Sequence, residues 1–95
     1  MAVGSDQRRE ERRPIVAAMV PEPDLEAALD LFAIADLAWH DCYGPRDLAV
    51  PPGVVDDILL LCEGSLRRLV RLALSATWDF RDVRMAADSK RSARS

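Results

Sequence analysis

Apolar residues recur at three- and four-residue intervals through two stretches of the chain, a spacing that predicts helices. In the first stretch Leu25, Ala28, Leu29, Phe32, Ala35 and Trp39 share one stripe, widened by Leu31, Ile34 and Ala38, while Glu26, Asp30 and Asp41 lie opposite. Pro21-Glu22-Pro23-Asp24 opens this helix, because proline is tolerated in a first turn and acids suit the positive end of the dipole. Tyr43-Gly44-Pro45 closes it. The expected bounds are residues 23–41. More than half of its circumference is apolar, so it calls for neighbours on two sides.

A loop through Arg46-Asp47-Leu48-Ala49-Val50 leads to Pro51-Pro52-Gly53, where a second helix begins, with Asp56 and Asp57 in its first turns. Its apolar arc runs from Val55 through Ile58, Leu59, Cys62, Leu66, Leu69, Ala73, Ala76, Phe80 and Val83 without a jump in phase at Gly64-Ser65. That continuity predicts one long helix over residues 53–87, weakened at Gly64 by about 1 kcal/mol relative to alanine. The expected fold is all-α: an antiparallel helical hairpin with a short N-terminal helix over Ile15 to Val20 as an option, completing a bundle by self-association.

Length sharpens this picture. At about 1.5 Å per residue the second helix would span roughly 50 Å and the first about 28 Å, so half of the longer one lacks cover. That half carries Leu74, Trp78 and Met85 on its otherwise charged side, a candidate contact surface for a second copy or another helical protein.

The ends of the chain read differently. Residues 1–13 hold four Arg, three acids and almost nothing apolar, and residues 88–95 are polar and basic, so both are expected to be flexible tails around a helical domain over residues 14–87.

The 95 residues permit one small domain, and 49% hydrophobic, 31% charged and 5% aromatic content excludes a multidomain enzyme, a disulfide scaffold or a disordered acidic tail. Ala and Leu, with 14 and 12 copies, dominate the apolar set and favour helices. The longest uncharged apolar run in a helical stretch, Leu31 to Ala35, falls far short of a membrane span. Ile15 to Val20 is too brief for a secretory leader. A cytoplasmic protein is expected, with Cys42 and Cys62 as free thiols. Twelve of the 13 basic residues are Arg, in keeping with a GC-rich bacterial genome.

Candidate chemistry gathers at Asp36, Trp39, His40, Asp41 and Cys42. Asp36 and His40 stand four apart, so the carboxylate could orient the imidazole. A metal would recruit His40 and Cys42 with Asp36 or Asp41; a nucleophilic site would make Cys42 a thiolate. No second histidine and no C-x-x-C accompanies them, so the favoured expectation is a helix-end Asp–His pair, Trp39 in the core and Cys42 as a small buried residue. Enzymatic activity is not the favoured reading, and no cofactor is expected.

Arg67, Arg68, Arg71, Arg81 and Arg84, with Lys90, Arg91 and Arg94, could follow phosphates. Glu63, Asp79 and Asp82 interrupt that row, making a solvated face the simpler expectation and nucleic acid the lesser one.

The net charge of -3 averages segments of +1 over residues 1–13, -9 over 14–63 and +5 over 64–95. Opposite charge on the two halves favours folding of the hairpin or antiparallel pairing of two chains. The expected function is that of a small, non-enzymatic helical interaction or regulatory protein.

Overall fold

The computed structural model describes residues 2–44 and 48–94, and it is helical throughout, with no strand among them. Among the described residues there are four α-helices: α1 (Ala2–Ala17), α2 (Leu25–Tyr43) behind a 3-10 turn at Glu22–Asp24, α3 (Pro52–Cys62) and α4 (Leu66–Arg94). Pro45, Arg46 and Asp47 of the expected loop, together with Met1 and Ser95, lie outside the described residues. No helix among the described residues is long and apolar enough to cross a membrane.

α2 matches the expected first helix. Its stripe of Ala28, Leu29, Phe32, Ala35 and Trp39 is buried, and the Gly44 amide donates to the His40 carbonyl oxygen at 2.9 Å, closing the last turn with Gly44 at φ 99°.

The expected long helix over 53–87 is instead broken twice. α3 ends where Glu63 and Gly64 both turn into the left-handed region, at φ 52° and 78°. Ser65 then restarts the chain as a cap, its Oγ accepting from the Arg68 amide at 3.3 Å. The second break is a single residue: Asp79, at φ -156° and ψ 94°, lies outside helical geometry between two helical arms of α4, residues 66–78 and 80–94. Asp79 Oδ1 accepts from the Arg81 amide at 3.1 Å and so starts the distal arm.

The two breaks fold the chain back on itself. The proximal arm returns along α2, where the Tyr43 hydroxyl donates to the Ala76 carbonyl oxygen at 3.4 Å and Trp39, Tyr43 and Phe80 stack with ring centroids 4.4 to 5.9 Å apart. The distal arm then runs beside α3: Lys90 Nζ donates to the Leu60 carbonyl oxygen at 3.1 Å, and Arg91 pairs with Asp57 at 2.8 Å. The molecule measures 40 × 30 × 21 Å. A hairpin with an uncovered half is replaced by helices that cover one another, with Leu69, Ala73, Ala76, Val83 and Ala87 all buried.

The segments expected as tails are also helical. α1 covers residues 2–17 and lies on α2 mainly through charge, with Arg9 bridging Glu26 at 2.9 Å and Asp30 at 2.7 Å, and Arg13 bonded to Glu26. Val16 and Val20 supply the buried apolar contacts where the chain turns towards α2. At the other end α4 reaches Arg94, carrying the basic residues onto the acids of α3.

Candidate functional site

The cluster at the end of α2 does not come together as a catalytic group. Asp36, only 5% exposed, is bonded to α1 and to Val50 rather than to His40. It receives both nitrogens of the Arg12 fork at 2.9 and 2.8 Å, Arg8 Nε at 3.3 Å and the Val50 amide at 2.9 Å. Those bonds join α1, α2 and the segment leading to α3. Asp36 is thus a structural hub and not the partner of His40.

No hydrogen bond or ion pair among the described residues joins His40 to Asp36, Asp41 or Cys42, and His40 Nδ1 is buried without a partner, as is Trp39 Nε1. Trp39 itself is core, as expected. Cys42 is an exposed free thiol rather than a buried one, whereas Cys62 is buried and its Sγ donates to the Leu59 carbonyl oxygen at 3.2 Å. Among the described residues no three His, Cys, Asp or Glu side chains form a group suited to a metal.

The arginines of α4 are distributed by the break at Asp79. Arg68 bonds to Glu63, Arg81 to Asp79 at 3.2 Å, and Arg91 to Asp57 and Asp88 at 2.8 and 3.3 Å. Lys90 and Arg68 together hold the Glu63 carboxyl below its ordinary range, Lys90 contributing more, and Arg81 does the same for Asp79. Arg67 and Arg71 on the proximal arm make no ion pair among the described residues.

Beside them lies the most coherent open surface. α2 and the proximal arm of α4 flank a groove of about 150 Å³ lined by Leu31, Ile34, Ala38, Val70, Leu74 and Thr77, with no charged side chain in its walls. Cys42, Tyr43, Thr77 and Trp78 line a further hollow. Trp78 is 83% exposed, Leu37 70%, Ile34 63% and Leu74 61%. Leu74 and Trp78, expected from the sequence as a contact surface, are both exposed. Met85, 69% exposed, sits on the distal arm and does not line the groove. Ile34 belongs to the stripe expected as core, whose unusual width is the signal that part of it is exposed, whereas Leu37 and Val70 fall outside both expected apolar patterns.

A larger cavity, of about 360 Å³, lies between α1 and the start of α3, walled by Ile15, Val50 and Pro52. Its Arg8 and Arg12 are bonded to Asp36, and Glu11 and Asp56 are the other charged side chains that line it, so its walls carry no unpaired cation for an anionic ligand.

Comparison with protein-family models, with curated proteins and with solved structures gave no match.

Proposed function

We propose that this protein is a helical interaction module that acts by pairing rather than by catalysis, and that its α2–α4 groove is the face that pairs with a second copy of the same chain. The observation that carries the reading is the uncharged apolar surface of Ile34, Leu37, Val70, Leu74 and Trp78, all exposed and drawn from two adjacent helices. Charge at its edges favours a second copy as occupant. Along α2 the outer edge reads Asp30, Ile34, Leu37, Asp41 at spacings of four, three and four, with Asp30 already held by Arg9 and Asp41 in no ion pair among the described residues; along α4 it reads Arg67, Arg71, Leu74, Trp78 at four, three and four. A two-fold axis lays the acid-flanked edge of one copy over the arginine-bearing edge of the other, twice. This reading takes up the antiparallel homodimer expected from the charge of the two halves and proposes α2 and the proximal arm of α4 as its face.

Sedimentation velocity from micromolar to millimolar concentration tests it. The wild type is expected to dimerise, and Leu74→Glu or Trp78→Glu to weaken pairing by about a hundredfold, because a buried unpaired charge opposes association. Circular dichroism of the variants should be unchanged. A wild type that stays monomeric throughout overturns the reading, and places a different helical protein in the groove if one is captured there.

A further inference from the structure

The break at Asp79 differs in kind from the one at Glu63-Gly64. Two left-handed residues make the first a true turn. At the second a single residue is extended, and neither Gly nor Pro occurs anywhere in residues 66–94. An extended aspartate has no steric obstacle to becoming helical. What holds it is local: Oδ1 accepts from the Arg81 amide at 3.1 Å and from Arg81 Nε at 3.2 Å.

The apolar pattern ignores this break. Leu69, Ala73, Ala76, Phe80, Val83 and Ala87 follow one another at alternating steps of four and three, a seven-residue repeat that a continuous helix would present as one seam. All six are buried or half-buried in the folded-back form as well. The same side chains therefore suit two backbones.

We infer that α4 straightens at Asp79 and exchanges its distal arm with a second copy of the chain. A straight α4 of 29 residues is about 43 Å long. Its end would then lie far from the turn at residues 63–65 from which it departs, so Lys90 could not reach Glu63 of its own chain. The contacts of the distal arm, Lys90 to Leu60 and Glu63 and Arg91 to Asp57, are remade on α3 of the other copy, which leaves its own α3 open in exchange. Straightening also aligns Met85 seven residues beyond Trp78 on one face, joining it to Leu74 and Trp78 in the single stripe that the sequence describes. The exchange does not rest on pairing through the α2–α4 groove, because that groove uses only the proximal arm.

Lys90 is the only lysine in the chain and its Nζ lies 3.0 Å from Glu63 Oε2, so a zero-length carbodiimide reagent can join the two as an amide, with loss of water taken up by the reagent. Heavy-isotope-labelled and unlabelled chains, refolded together at millimolar concentration and treated in this way, are read by mass spectrometry of the Lys90–Glu63 peptide. Exchange predicts mixed-isotope peptides in the dimer fraction. Asp79→Ala removes the cap and admits helix, and should raise the mixed share about fivefold or more at equal concentration. Same-isotope peptides alone, in the wild type and the variant, overturn the exchange; an unchanged share in Asp79→Ala overturns Asp79 as its lock. Trp78→Glu, which disrupts groove pairing, should leave the mixed share unaltered, so failure of either proposal is seen separately.

Discussion

Through one carboxylate Asp36 joins α1, α2 and the segment that leads into α3. Its spacing from His40 suggests a pair within one helix, but a carboxylate with two arginines and a backbone amide available from other segments is better satisfied by them. Residues four apart on a helix meet only if no stronger partner packs against that face, and spacing within one helix is blind to α1. Arg12 is largely buried, with its guanidinium 5.5 Å from the centre of the Phe32 ring. Asp36→Ala would strand that cation, and the expected loss is about 3 kcal/mol in urea denaturation. Gly64 is a second such position. Alanine there meets only the Met19 carbonyl oxygen at 3.6 Å, an ordinary contact, but must adopt φ 78°. Gly64→Ala should destabilise by about 1–2 kcal/mol on the same assay through backbone strain alone, whereas a continuous helix would have gained from the change.

Among the elements, α2 is legible to within two residues at each end, because its stripe, opening prolines and closing glycine all agree. The long helix was not, for a definite reason: neither break shifts the apolar phase. Cys62 to Leu66 and Ala76 to Phe80 are both steps of four, as they would be in an unbroken helix, so periodicity carries no trace of the turn or the hinge. α1 was missed for the opposite reason. It has too little apolar surface to be seen by burial, and its signal lies in charge, with Arg8 and Arg12, and Arg9 and Arg13, each four apart and facing the acids of α2. Such a helix should be sensitive to acid. Hydrogen bonds from Arg13 first, then Arg9, lower the Glu26 pKa from 4.5 to about 2. A depressed carboxylate stabilises the fold fully above its unfolded value and loses that contribution as pH falls through the folded one. Protection factors of the α1 amides, taken against the intrinsic exchange rate at each pH, should therefore fall as pH drops from 4.5 towards 2. Glu26→Gln should show faster exchange already at neutral pH and a smaller acid-dependent change, with the α3–α4 contacts unaffected.

At the scale of the molecule, the charge asymmetry of the sequence finds much of its use inside the fold, arginines of α1 on acids of α2 and the basic end of α4 on acids of α3. The charge that is left over marks what lies outside it. Arg67 and Arg71 make no ion pair among the described residues; by spacing they share a helix edge with Leu74 and Trp78, and Arg71 also lines a separate hollow with Leu61, Leu72 and Ala86. In the proposed dimer they meet the acidic edge of α2 from the other copy. That geometry makes pairing an electrostatic as well as an apolar event, and the two contributions respond differently to salt. Exposed charges are screened beyond about 10 Å at 0.1 M ionic strength, while apolar burial is not weakened. Arg67→Glu/Arg71→Glu should therefore leave thermal stability nearly unchanged but weaken self-association about tenfold at low salt in sedimentation equilibrium, with the difference from wild type shrinking as salt rises. An equal loss at all ionic strengths would mean that the arginine stems pack in the interface and their charge does not steer it.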